Sequence, residues 1–148
     1  MNGGVAMTKT KQIFRFERGA YFRGYMTYII EKCENKYFLI ARSNNGFFWL
    51  RDSEFEIPEE DVKAFAKVLE PVKKWEKKYE DKLEDILDGY GWNINYRFKS
   101  TRIKSQGYEQ YPNGFRRVIK DIQAFLERLG SKYDEEYWAA GLEERMRL

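Results

Sequence analysis

The sequence predicts an α+β fold: an antiparallel β-sheet, made of a meander plus a hairpin, packed on one face by two amphipathic helices, with a short C-terminal helix beyond. Three observations carry this expectation. Period-two alternation of apolar and polar residues recurs early in the chain and again after residue 91. Each group of strand-like runs is followed by apolar residues spaced at three and four. At 148 residues and 18% aromatic content, the chain suits one domain with a core of Phe, Tyr and Trp. Residues 12–130 are read as that domain, 1–11 as a disordered N-terminus, and 131–148 as a helical extension.

The first strand is expected over Gln12–Arg18, where Phe14 and Phe16 alternate with Arg15 and Glu17. Gly19 to Gly24 reads as a turn. Tyr25–Lys32 and Tyr37–Arg42 read as strands joined at Glu34-Asn35. Ser43 to Gly46 reads as a loop and Phe47–Leu50 as a short apolar strand. Pro58 and the acids Glu59, Glu60 and Asp61 mark a helix start, because proline suits the first turn and carboxylates favour its positive end. Val62, Phe65, Val68 and Leu69 form its apolar stripe, Pro71 kinks or ends it, and a second helical piece is expected over Val72–Tyr79. The first packing helix therefore covers 58–80.

Asp88–Pro112 is the densest stretch. Asp88-Gly89 and Gly91 make a turn, and Trp92, Ile94, Tyr96 and Phe98 then alternate with Asn93, Asn95, Arg97 and Lys99. Ser100-Thr101 is the expected turn, Arg102–Ser105 the return strand, and Gly107 a break. Phe115, Val118, Ile119, Ile122, Phe125, Leu126 and Leu129 line a helix of residues 112–129 capped by Gly130. Trp92, Ile94, Tyr96, Phe98, Phe115, Ile119, Ile122 and Phe125 are expected in or near the core.

Asp88, Gly89, Tyr90, Trp92, Ser105, Gly107, Tyr108, Tyr111 and Pro112 together resemble the signature of a family of small uncharacterised bacterial α+β domains. That pattern is an aspartate-glycine-aromatic turn with a tryptophan strand, a Ser-x-Gly-Tyr break, and a Tyr-Pro helix entry. The likeness covers about residues 12–129. It implies a fold unit and brings no assigned activity, cofactor or catalytic residue.

Composition narrows the chemistry. Histidine is absent and Cys33 is the one cysteine, so neither a Ser-His or Cys-His relay nor a zinc site needing His or several Cys can be assembled. One cysteine allows no internal disulfide, which suits a reducing, cytoplasmic compartment. Neither an apolar leader nor a membrane-length apolar run is present. Carboxylates cluster at Glu59-Glu60-Asp61 and at Asp81, Glu84, Asp85 and Asp88, where helix starts and solvated faces account for them. No enzyme activity, cofactor or metal site is expected; a carboxylate or divalent-metal enzyme ranks last.

The net charge is only +3, but residues 89–120 hold seven basic residues and one acidic residue. A binding surface for a protein or nucleic acid is therefore expected at Arg97, Lys99, Arg102, Lys104, Arg116, Arg117 and Lys120, with Tyr108 and Tyr111 beside it. A second is expected on a C-terminal interaction helix carrying Tyr133, Tyr137, Trp138 and Leu142. The resulting expectation is a non-enzymatic intracellular protein-binding module. A small inhibitor carried by a phage or mobile element, acting on a host nucleic-acid enzyme, is its special case. The alternative is a nucleic-acid-binding domain using the basic hairpin 97–104, with phosphate contacts and steep salt dependence. No membrane partner is expected.

Overall fold

Strand alternation and helical spacing become one sheet with helices on one side. The computed structural model describes residues 9–20, 24–44, 49–80 and 90–133. Four strands come first: β1 (Thr10–Ala20), β2 (Gly24–Cys33), β3 (Lys36–Asn44) and β4 (Trp49–Ile57). Helix α1 (Glu59–Val68) and a 3-10 turn (Glu70–Lys74) lead to the short β5 (Lys78–Glu80). Strands β6 (Gly91–Phe98) and β7 (Thr101–Tyr108) form a hairpin, followed by α2 (Phe115–Tyr133).

Among the described residues the sheet has seven strands in the order β4-β3-β2-β1-β6-β7-β5. Every neighbouring pair is antiparallel except β5 with β7. The meander and the hairpin are thus two halves of one sheet, joined where Phe14 faces Tyr96, Phe16 faces Ile94 and Arg18 faces Trp92.

One face is apolar and lies under the helices. Phe14, Phe16, Tyr28, Ile30, Leu39, Phe55, Ile94, Tyr96 and Ile103 are buried there, and Val62 and Phe65 of α1 with Val118, Ile119, Ile122, Leu126 and Leu129 of α2 complete the core. Phe65 links the layers: its ring meets Phe14 edge-on at 4.6 Å and stacks on Phe125 at 5.0 Å. The buried Tyr96 hydroxyl donates to the Val62 carbonyl at 2.8 Å, which offsets the cost of taking it out of water. Burial pushes its pKa up to about 12.

The other face alternates with the first and carries both signs of charge. One lane across the strands reads Glu54, Ile40, Ile29, Arg15, Asn95, Lys104. In this lane the acid sits on β4 and the β7 end is basic, while Lys36 and Arg42 of β3 lie on the same face. Ile29 and Ile40 are buried on this side, apart from the aromatic core.

Several elements differ from expectation. Of the loop placed at Ser43–Gly46, Ser43 and Asn44 belong to β3, and Asn45 and Gly46 lie outside the described residues. Of the apolar strand placed at Phe47–Leu50, Trp49 and Leu50 belong to β4, which runs on to Ile57 with Phe55 and Ile57 inward against Glu54 and Glu56, while Phe47 and Phe48 lie outside the described residues. The helix of 58–80 ends at Val68. Pro71 lacks the N–H that continuing would need, so the chain tightens into the 3-10 turn and then extends as β5. Trp75 and Tyr79 still pack inward, against Trp92 at 5.7 and 6.1 Å.

The hairpin turn is Lys99-Ser100 rather than Ser100-Thr101, with Lys99 at φ 53°, and β7 runs through Gly107. Helix α2 spans 115–133 rather than 112–129. Gly130 does not cap it but lies buried on its inner stripe, where packing outweighs a propensity cost of about 1 kcal/mol. Gly19 lies in β1 because Tyr25 crosses it: a Cβ there would be 2.8 Å from the Tyr25 ring. The six strand and helix residues Trp92, Ile94, Tyr96, Phe98, Ile119 and Ile122 are buried, while Phe115 and Phe125 are half-buried against them. Residues 1–8, Asp81, Glu84, Asp85, Asp88 and the extension after Tyr133, with Tyr137, Trp138 and Leu142, lie outside the described residues.

Candidate functional site

The basic residues grouped by sequence fall at two ends of the β6–β7 hairpin, about 20 Å apart at the rise of an extended strand. At the tip, Arg97 lies directly opposite Arg102, and Lys104 opposite Asn95. All three cations are exposed on the face away from the helices. The Arg102 guanidinium donates to the carbonyls of Lys99 at 2.6 Å and Thr101 at 2.9 Å, so it also ties down the turn. Lys99 points elsewhere: its ammonium is 3.9 Å from the Glu59 carboxylate at the start of α1. Lys120 is exposed on α2.

The base of the hairpin is built differently. Trp92 crosses Gly107, where a Cβ would sit 2.5 Å from its indole nitrogen, and that nitrogen donates to the Gln110 carbonyl at 3.0 Å. Ser105, fully buried, donates to the Glu76 carbonyl at 2.6 Å and holds the approach to β5. The Ser-x-Gly pair of the signature therefore has a structural reason: one residue anchors a loop and the other makes room for an indole. Glu109 sits at φ 58°, takes the Tyr90 N–H on its carboxylate and donates its own N–H to the Tyr90 carbonyl at 2.9 Å.

Tyr108 and Tyr111 part company here. Tyr108 lies on the face away from the helices, beside a slot of about 240 Å³ shared with Glu17, Tyr25, Asn93 and Gln106. Tyr111 lies on the helix side with Arg116 and Arg117, lining a cleft of about 770 Å³. Its ring packs on Phe115 at 4.9 Å and Tyr90 at 5.9 Å. At 44% exposure it is the one exposed large hydrophobic side chain among the described residues. Burial, then the nearby Glu109 charge, raises its pKa above 10.0, so the hydroxyl keeps its proton at neutral pH.

Sequence reasoning missed Arg18, which lines this cleft. Its guanidinium donates to the Tyr90 hydroxyl at 3.1 Å and to Gln123 Oε1 at 2.9 Å, and its buried Nε has no acceptor. The signal was available. Continuing the alternation past Phe14 and Phe16 puts Arg18 on the apolar face, where a charge needs a reason. Tyr133, from the proposed interaction helix, donates its hydroxyl to Asp61 at 2.5 Å and ties the end of α2 to α1. That bond raises the Tyr133 pKa. Among the described residues, no group of three or more carboxylate or thiol side chains is placed to hold a metal, and no helix is long and apolar enough to cross a membrane. No family model, curated protein or solved structure matches the chain.

Proposed function

We propose that the chain is a non-enzymatic binding module that docks a partner protein on the sheet face away from the helices, centred on the hairpin tip. The observation that carries this reading is the direct cross-strand pairing of two exposed arginines, Arg97 and Arg102. Like charges held opposite each other repel, and neither has a carboxylate partner among the described residues. An acidic surface on a partner relieves that repulsion.

The mixed charge of the face favours a protein over nucleic acid. On the β2–β4 side the face mixes Glu31, Glu54 and Glu56 with Lys36 and Arg42, so a strand of phosphates laid across it meets both signs, which a protein can match. The special case remains an inhibitor carried by a phage or mobile element that acts on a host nucleic-acid enzyme. The acids of the face suit the basic channels of such enzymes, and neighbouring genes are its quickest discriminator.

The test is affinity capture from the source cell with the wild type and with Arg97→Glu/Arg102→Glu, alongside fluorescence anisotropy with labelled single- and double-stranded nucleic acid at low and physiological salt. A partner held by the wild type and lost by the reversal supports the module. Salt-sensitive nucleic-acid binding lost by the same reversal replaces it with the nucleic-acid reading. Capture that ignores the reversal removes the hairpin tip from the interface.

A further inference from the structure

The cleft at the base of the hairpin poses a separate problem of charge. It lies between the end of β1, Tyr90, the connection after β7, and the first turn of α2. Arg18 reaches it from the apolar face, and both of its hydrogen-bond partners, Tyr90 and Gln123, are neutral. Its Nε–H is buried without an acceptor. The side chain is half-buried, so its permanent charge is partly desolvated, and leaving it without an anion carries a cost. Arg116 and Arg117 line the same cleft, and none of the three arginines has an ion-pair partner among the described residues.

The local backbone has the same polarity. The first turn of α2 contains no acidic side chain. The Phe115 N–H is taken by the Pro112 carbonyl and the Val118 N–H by that of Gly114, so the N–H groups of Arg116 and Arg117 are those the helix itself leaves over. Glu109, the acid in the lining, is occupied by the Tyr90 N–H. Guanidinium forks and free helix N–H groups suit a phosphate monoester, which carries close to two negative charges, better than a single carboxylate. A volume of about 770 Å³ far exceeds what a bare phosphate fills and falls within the usual range for small organic ligands. Tyr111 presents a half-exposed ring at the rim, against which a planar base can stack.

We infer that this cleft binds a nucleoside phosphate, with the phosphate against Arg18, Arg116 and Arg117 and the base against Tyr111. The site goes beyond the protein-docking face and is separate from it.

The test is isothermal titration calorimetry on the full chain with the common ribonucleoside 5′-monophosphates, with adenosine alone and with inorganic phosphate alone. A 5′-phosphorylated and a 5′-hydroxyl oligonucleotide separate a strand end from a free nucleotide. At least one monophosphate, or the phosphorylated strand end, is expected to bind about tenfold or more tighter than adenosine and phosphate taken singly. Arg18→Met, and separately the surface pair Arg116→Glu/Arg117→Glu, should each weaken it by about tenfold or more. Tyr111→Ala should bring the affinity down to that of phosphate. Arg97→Glu/Arg102→Glu should leave it unchanged, so failure of the docking face and failure of this site read out separately. Three results overturn the inference: no heat with any phosphorylated probe at about 1 mM, phosphate binding as well as the nucleotides, or indifference to the Arg116/Arg117 reversal.

Discussion

The two ends of the β6–β7 hairpin carry the same kinds of residue under different physical conditions. At the tip, Arg97, Arg102 and Lys104 stand in water on strands whose other face is buried, and solvation screens part of the repulsion between the two arginines. At the base, Arg18 is half-buried, hydrogen-bonded to Tyr90 and Gln123 with its Nε–H unpaired, Glu109 adopts a left-handed backbone, and Gly107 leaves room for a tryptophan. Each of those features costs stability, so the base carries several costs where the tip carries one, the repulsion between Arg97 and Arg102. Charge count alone pointed to the tip; cost points to the base.

The sharpest way to break the base is Gly107→Val. Its Cβ would lie 2.5 Å from the Trp92 indole nitrogen and 2.7 Å from the Gln110 carbonyl oxygen. Overpacking of this kind costs about 1–3 kcal/mol, and losing the indole hydrogen bond adds to it, so urea unfolding should report about 3 kcal/mol or more. Gly91→Ala is the matched control. Its Cβ would meet the Tyr108 ring at an ordinary 3.6 Å, and the loss should stay under about 1 kcal/mol. Equal losses would mean that Gly107 has no special place.

Between base and tip, Tyr96→Phe removes the hydroxyl bonded to Val62 and should cost about 1 kcal/mol at neutral pH. The folded-state pKa of Tyr96 is raised to about 12 from the unfolded 10.0. Its contribution is therefore fully present below pH 10.0 and is lost as pH rises through about 12. Thermal melts across that window should show the wild type losing more stability than the variant. Parallel curves would place the hydroxyl in water.

Arg18→Met tests whether the base arginine is there for the fold. If Arg18 serves a ligand, stability should stay within about 1 kcal/mol of the wild type, because an apolar side chain of similar length replaces a poorly compensated charge. A loss of about 3 kcal/mol or more would make it a structural arginine. The smallest effect belongs to the tip: Arg97→Glu/Arg102→Glu should change stability by less than about 0.5 kcal/mol. A larger loss would show that the Arg102 bonds to the turn carbonyls hold the hairpin together.

Legibility in the sequence followed the range of the interaction. Strands β1, β2, β3 and β6 could be read because alternation is local and their buried faces carry large aromatic residues. Strand β4 carried the same signal at Ser53–Ile57, but the short run before the helix start at Pro58 was left unassigned. Strand β5 could not be read at all, because three residues become a strand only when β7 lies alongside. Gly130 was misread because a glycine near the end of a stripe looks the same whether it caps the helix or is buried in it. In the cleft, Tyr111, Arg116 and Arg117 stood out by residue type, but Arg18 and Gln123 lie 105 positions apart and no local pattern joins them.

The sequence by itself determined the α+β class, a single aromatic core, the hairpin with its basic tip, and the exclusion of histidine-based relays, because periodicity and composition are properties of neighbouring residues. Only the tertiary structure decided that the hairpin adds to the meander through β1, that Arg97 and Arg102 stand opposite each other on the outer face, and that Arg18 meets the start of α2 in a cleft. Those outcomes depend on strand order and register, which are set by packing between segments far apart in the chain.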